Sequence, residues 1–474
     1  MIAVIGGGIV GTLTALELLK YYEDVALFEK NPATGMETTK ANSGIIHAGY
    51  DDEPDTFRAQ FSYKGNKMYD DLAELLNFKI KRPGSHVVAY NDDEMEQLYH
   101  LAENAKANGF EDDEYEIILK DRLLEMEPNL NKDAIGSLWS PIAGIVDPWE
   151  IAQRASIAIR RNGGEVFKNK KFVSVDKKND KFTLHFEDGT EFDADYVINA
   201  AGLYADEVAK AFGDTVPEIT PVKGEYYLLN KDIKWVNSVI FPLPTEETKG
   251  CLVLPTVDGG FLIGPNANET DSKEDYATSE EGLAEIARDA KKLVPNLKIN
   301  PGTIMKTFAG LRPETEEKDF YIEKGKDNVI HISGTRSPGL TAAPAIAEYV
   351  ADMFQEKLEK KQRNIELKGL ENNLELIKQD YDKWDEMIQK EPDFGEIICY
   401  CNKVTKADVL YAIANGAETI DEIRFFTKSG FGECQGGYCS SKIFEILKDK
   451  KDGKLKNIKK FTDDSWIIDS EVRK

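Results

Sequence analysis

At 474 residues with 41% hydrophobic content, the chain is long enough for two or three domains with real cores. A formal net charge of −25 and a pI near 4.8 give it a negative field that repels phosphate backbones and anionic lipid, which argues against nucleic acid as a partner. No apolar run approaches the roughly 20 residues that cross a bilayer. The first apolar stretch is glycine-rich with no basic leader, and five cysteines make no disulfide framework, so a cytoplasmic protein without a membrane span is expected.

Met1-Ile2-Ala3-Val4-Ile5 is a strand-like run that stops at Gly6-Gly7-Gly8-Ile9-Val10-Gly11, and Thr12 to Tyr22 then carries apolar residues at helical spacing. Val25-Ala26-Leu27-Phe28 makes a second strand running into Glu29 and Lys30. This is βαβ with an acid at the tip of the second strand, the pattern of a dinucleotide site. Gly6 makes the turn, Gly8 admits a pyrophosphate, Gly11 lets the helix pack on the strand, and the helix start at Ile9 and Val10 turns its N–H groups to the phosphates. Glu29 suits a ribose hydroxyl and disfavours a 2′-phosphate. The pattern does not separate FAD from NAD.

Thr38 to Gly49 is a polar loop containing Asn42-Ser43-Gly44-Ile45-Ile46-His47-Ala48-Gly49. The order βαβ, Glu, then Asn-Ser-Gly-x-x-His-x-Gly resembles the D-amino-acid oxidase superfamily of FAD-dependent dehydrogenases, in particular the branch of glycerol-3-phosphate and L-2-hydroxyglutarate dehydrogenases. The resemblance implies that Asn42, Ser43 and Gly44 run under the flavin and that His47 lies beside the reacting carbon. Imidazole is suited to act there as a base near neutral pH, although a lone histidine is more often structural.

Helical spacing follows from Asp55 to Phe78, a strand from Gly84 to Tyr90, a short helix within Leu123 to Leu130 and another helix from Trp149 to Asn162. His86, His100 and His185 are read as structural. Asp195 to Gly202 is an apolar strand with a small-residue exit, which the resemblance sets beside the FAD unit with Ala200 and Gly202 near the adenosine diphosphate. Pro221 to Leu228, Cys251 to Thr256 and Gly259 to Pro265 alternate like an antiparallel sheet with one face over the flavin, and Cys251 reads as core. A charged helix spans Ser279 to Leu293.

Gly310-Leu311-Arg312-Pro313 resembles the superfamily motif whose arginine clamps an anionic substrate, a task suited to a guanidinium fork. Lys223 and Arg336 are expected to assist. Val329 to Gly334 forms a strand, and the helix after Pro338 runs to about Phe354. The resemblance puts Gly310, Gly334, Gly339, Leu340 and Thr341 against the flavin, with the helix dipole at its pyrimidine end.

The expected fold class is an α/β Rossmann-type FAD-binding domain with an interleaved α+β substrate domain built on an antiparallel sheet, plus a small helical [2Fe-2S] domain. The FAD-binding domain takes residues 1–80, 141–215 and 308–355, and the substrate domain 81–140 and 216–307. A helical linker spans 356–392, the cluster domain 393–450 and a charged tail 451–474.

Four cysteines fall near the C-terminus as Cys399-Tyr400-Cys401 and Cys434-Gln435-Gly436-Gly437-Tyr438-Cys439. Thr405-x-x-Asp408 and Thr419-x-x-Glu422 start two helices between them. The segment resembles the bacterioferritin-associated ferredoxin fold, which implies that Cys399, Cys401, Cys434 and Cys439 ligate a [2Fe-2S] cluster. A four-cysteine zinc site and disulfides are the other readings. Tyr400 and Asn402 stand where relatives often carry arginine and glutamate.

The implied activity is an FAD-dependent dehydrogenase of a small anionic secondary alcohol, first sn-glycerol 3-phosphate, then L-2-hydroxyglutarate or another 2-hydroxy acid, then an amine or amino acid. Electrons would leave FAD singly through the cluster to a partner subunit or flavoprotein, in an oligomer or hetero-complex. A non-catalytic electron-relay subunit is the reading from another class; it would lack the loop histidine and the arginine, and both are present.

Overall fold

The first strands, Ile2–Ile5 and Val25–Phe28, are buried at every position, as strands covered on both faces must be. In the computed structural model, which describes residues 1–178, 181–244, 250–357, 364–370, 381–451, 453–462 and 464–468, they lie side by side in the interior of a six-stranded sheet. Its order is Tyr321–Lys324, Val329–Ser333, Tyr196–Asn199, Ile2–Ile5, Val25–Phe28, Glu165–Phe167. Every pairing is parallel except that of the edge strand Tyr321–Lys324. Helices Ile9–Leu18, Pro148–Arg161 and Gly339–Lys357 belong to this layer, and a three-stranded antiparallel sheet over 172–194 packs its phenylalanines against Phe28 and Val197.

The second sheet has nine strands. Ser85–Ala89, Glu116–Leu119 and Gly136–Ser140 join the strands between Thr220 and Glu314. It is antiparallel as expected, except that Val239–Phe241 runs parallel to Ser85–Ala89, which makes the sheet mixed. The strand Ile304–Glu314 pairs along its length with Thr220–Leu229. A boundary at 308 therefore falls inside a strand of the second sheet, and Phe308 to Arg312 belong to that sheet because the ladder is continuous there.

Contacts divide the chain into two units, Met1–Lys30 with Gly35–Gly369, and Leu370–Lys474 with Asn31–Thr34. The expected helical linker is not one helix. The helix is described as far as Lys357, residues 364–370 carry no helix, and Ile365 N–H donates to Lys20 O at 3.0 Å while Asn162 and Lys368 exchange two hydrogen bonds. This segment docks through its backbone groups, which a helix would have satisfied internally. Tyr381–Lys390 is helical, and 358–363 and 371–380 lie outside the described residues.

In the second unit the hairpin Ile397–Cys399 and Val404–Thr405 leads into helices Lys406–Ala414 and Ile420–Thr427, each opened by a complete capping box. The charged tail is in part core: Ile458 is fully buried among Ile423, Ile443 and Leu447. The carbonyls of Lys459 and Lys460 accept from Ile420 and Asp421 N–H. Residues 452, 463 and 469–474 of that tail lie outside the described residues.

Candidate active site

The glycine turn forms a cleft of about 400 Å³, and steric limits explain its sequence. A Cβ on Gly6, whose φ is +112°, would fall 2.3 Å from Ala200 O, and one on Gly11 would fall 1.9 Å from Gly6 O. Gly6, Gly8, Ile9, Val10, Glu29, Lys30, Asn42, Ala200, Gly202, Gly339 and Leu340 line the cleft. Gly11 stands behind it as the helix-to-strand contact. The Glu29 carboxylate accepts from Gly7 N–H at 2.8 Å, and Lys30 pairs with Glu37 at 2.8 Å and stands 4.7 Å from the Tyr204 ring centroid. Tyr204 also lines the cleft, and its buried hydroxyl has no partner among the described residues. A glycine cradle at a helix N-terminus, a carboxylate and an unsatisfied phenol make a donor and acceptor set that fits a dinucleotide.

A second cavity of about 910 Å³ adjoins the first and shares Thr38, Asn42, Thr335, Gly339 and Leu340 with it. His47, Ser43, Arg312 and Arg336 line this cavity. His47 is held by its backbone, its N–H donating to Thr341 Oγ1 at 2.9 Å and its carbonyl accepting from Asn66 Nδ2 at 2.8 Å. Its Nε2 lies 3.3 Å from Ser337 Oγ, and its ring centroid is 5.9 Å from that of Phe241.

Arg312 Nη2 donates to Asn266 O at 3.2 Å, and among the described residues no carboxylate lies within ion-pair distance of it. Arg336 differs. Its guanidinium is nearly buried and paired with Glu314 at 2.7 Å, with Nε unpartnered among the described residues. Burial pulls Arg336 below the usual arginine range and pushes Glu314 above the usual carboxylate range, each partly offset by the other's charge.

Several expected residues have other positions. Lys223 does not line the cavity; alternation along Thr220–Leu229 puts Val222 on the cavity side, and Lys223 pairs instead with Asp275 at 2.7 Å. Thr341 is fully buried, its hydroxyl lodged between His47 N–H and Ile45 O. Gly44 (φ +67°), Gly310 and Gly334 (φ +65°) shape the backbone around the cavities: a Cβ on Gly310 would fall 1.9 Å from Ala41 O. Asn42 braces its own loop, donating to Thr38 O and Thr39 O and accepting from Gly44 N–H. Sequence reasoning missed Ser337, Glu314, Asn66 and Tyr226. Tyr226 is a buried phenol whose hydroxyl meets Arg312 and Ser43, and burial raises its pKa. Cys251 is core, its thiol pushed up to about 12 by burial. His86 is likewise buried, against Ser137 and Trp139, while His185 sits between Asp176 and Glu191 at the surface.

In the second unit Cys399 and Cys439 are buried and Cys401 and Cys434 exposed. Cys401 Sγ and Cys434 Sγ are 3.9 Å apart. Burial pushes the Cys439 thiol up to about 11, with Cys399 beside it, while backbone N–H groups of Tyr438 and Gly436 hold Cys434 below the usual thiol range. Gln435 (φ 49°) and Gly436 (φ 88°) make the left-handed turn that brings Cys434 round, and a Cβ on Gly432 would fall 2.2 Å from Cys401 Cβ. Among the described residues no three His, Cys, Asp or Glu side chains converge on one ion position. Four thiols gathered by these turns are a donor set that fits a [2Fe-2S] cluster.

The family described as FAD dependent oxidoreductase matches residues 1–353, and the BFD-like [2Fe-2S] binding domain matches 397–449. The chain is 39% identical over 476 residues to a glycerol 3-phosphate dehydrogenase of Caloramator mitchellensis, covering 98% of each protein. It is 32% identical to the L-2-hydroxyglutarate dehydrogenase of Escherichia coli K12, over 74% of this chain and 92% of that one. Among solved structures, dithionite-reduced L-alpha-glycerophosphate oxidase from Mycoplasma pneumoniae with FAD bound is similar with a TM-score of 0.70 and 29% identity, over 78% of this chain and 96% of that one.

Proposed function

Because the chain belongs to the FAD dependent oxidoreductase family and carries a BFD-like [2Fe-2S] binding domain, we propose that it oxidises sn-glycerol 3-phosphate to dihydroxyacetone phosphate and passes the electrons to a partner protein. FAD, when bound, supplies the two-electron acceptor, and the cluster supplies a one-electron outlet. Gly6, Gly8, Ile9, Val10 and Glu29 would hold FAD, and Cys399, Cys401, Cys434 and Cys439 the cluster.

The observation that carries the reading is Arg312, a cavity-lining guanidinium with no carboxylate within ion-pair distance among the described residues, in the cavity that also holds His47. Arg336 contributes little net charge, because Glu314 cancels it. Arg312 therefore meets the substrate phosphate through charge-assisted hydrogen bonds. His47 Nε2 takes the proton of the secondary hydroxyl as that carbon gives up its hydride, the substrate hydroxyl replacing Ser337 Oγ as the partner of that nitrogen. The backbone bonds from Thr341 and Asn66 fix the imidazole before substrate arrives.

The similarity over 98% of the chain to a glycerol 3-phosphate dehydrogenase supports this substrate ahead of L-2-hydroxyglutarate. Among the described residues no helix is long and apolar enough to cross a membrane, and the free thiols suit a reducing compartment. We therefore place the reaction in the cytoplasm, in a complex with an electron-accepting subunit. Mixing the protein anaerobically with sn-glycerol 3-phosphate, L-2-hydroxyglutarate and a set of amino acids tests the substrate. The phosphate should bleach the flavin fastest, and faster bleaching by either other class would overturn the choice.

A further inference from the structure

The segment between the strand Asn268–Glu269 and the helix Glu280–Leu293 is tied to both walls of the dinucleotide cleft. On one wall Lys273 Nζ pairs with Asp206 and Glu207, each at 2.8 Å, and stands 5.5 Å from the Tyr204 ring centroid. On the other, the Tyr276 hydroxyl donates to Glu37, the carboxylate that also holds Lys30. Tyr204, Glu207 and Glu37 all line the cleft, and so does Glu274, which lies between the two anchors. Lys223 braces the same segment through Asp275. Its backbone is pinned at the start, where Thr270 N–H donates to Pro221 O at 3.1 Å, its interior backbone bonds are local ones to Ser272, Glu274 and Asp275, and at its end Thr278 Oγ1 lies 3.5 Å from Thr307 Oγ1 of the second sheet.

The ties across the cleft are side-chain ion pairs and one hydrogen bond, not sheet ladders. Tyr276 is 39% exposed, and the Lys273 side chain is 19% exposed. Such contacts open far more readily than a sheet ladder does. We propose that residues 270–278 form a strap that closes the dinucleotide cleft over FAD, with Lys273 and Tyr276 as its two latches. FAD enters and leaves only when the latches release. Lys223, which the cavity does not use, acts here by holding the strap to the second sheet. The inference rests on the cofactor and is independent of which alcohol the enzyme oxidises, so a wrong substrate assignment leaves it standing.

A gate slows passage in both directions, whereas a direct contact to the cofactor slows only its exit. The test is made on the full chain, stripped of flavin and recombined with FAD, following flavin fluorescence for both association and release. K273A and Y276F should each raise both rate constants by roughly threefold or more, the double variant by roughly tenfold, and K273R should stay within about twofold of the native protein. Faster release with unchanged or slower association would overturn the strap and point to lost cofactor contacts or a loosened fold. No change in either rate would overturn it too. The native protein gives a second arm that needs no mutation. Screening the partly exposed Lys273 ion pairs with salt, over a Debye length of about 10 Å at 0.1 M, should accelerate entry and exit together, and salt-independent release would refute the latch.

Discussion

Gly224 offers a direct test of the arginine's role, because it makes room for Arg312 and itself lines neither cavity. A methyl carbon added there would lie 2.5 Å from Arg312 Nη2, against 3.4 Å for ordinary contact, so the guanidinium must retreat by about 0.9 Å. It would also lie 3.0 Å from Cζ and 2.9 Å from Pro265 Cβ, so rotation of the fork alone does not relieve the overlap. The bond from Nη2 to Asn266 O, already 3.2 Å, is lost, and with it the seat from which the fork faces the cavity. A charge-assisted hydrogen bond contributes about 1.5–3 kcal/mol, which converts to roughly 10- to 150-fold in kcat/KM. Overpacking itself costs about 1–3 kcal/mol of stability, visible separately as a lower Tm. Anaerobic stopped-flow reduction of the flavin by sn-glycerol 3-phosphate measures the kinetic part. If Gly224→Ala keeps native FAD content and its kcat/KM stays within about threefold of the native value, the clamp assigned to Arg312 is wrong.

His47→Ala should keep FAD and lower the rate of flavin reduction by roughly 10² to 10⁴, the loss of a general base; a rate within tenfold at high pH and low pH alike would remove histidine from that role. Cys399→Ser should abolish the cluster's absorbance and the reduction of one-electron acceptors while substrate still bleaches the flavin, and a cluster that persists would place the ligands elsewhere. His86 gives the pH dependence. Burial lowers its pKa to about 3 from 6.5, so the unfolded chain binds the proton that the folded one refuses. Its contribution is complete above about pH 6.5 and is lost as pH falls, by about 2 kcal/mol at pH 5. His86→Leu should flatten that part of the stability profile in chemical denaturation at pH 5 and pH 7.5, and an unchanged slope would show that other groups set it.

The parts of the molecule that the chain announces are those governed by short-range constraints. Gly6 and Gly11 are required by backbone carbonyls under 2.5 Å from any added Cβ, and both capping boxes close within one helical turn. The cysteine turn is legible for the same reason. What was hidden depends on register between distant strands. Arg312 stands opposite Val222, which places Lys223 on the other face, and nothing in either strand alone reveals that pairing. The Glu314–Arg336 pair, the Thr341 hydroxyl beneath His47 and the approach of Ser337 to the imidazole join residues 22 to 294 positions apart, the last two of them across more than half the chain. The boundary at 308 failed because a Gly-x-Arg-Pro motif suggests a function but does not say which sheet its strand extends. The charged tail misled because its composition masks Ile458, one buried side chain that anchors it.

Electrons taken from an alcohol must reach iron held by four sulfurs. The measurement is the EPR spectrum of the reconstituted full chain frozen after anaerobic addition of sn-glycerol 3-phosphate. The reduced [2Fe-2S] signal should grow as the flavin bleaches; a bleached flavin with a silent, still oxidised cluster, or a site that loads zinc in place of iron, would contradict it.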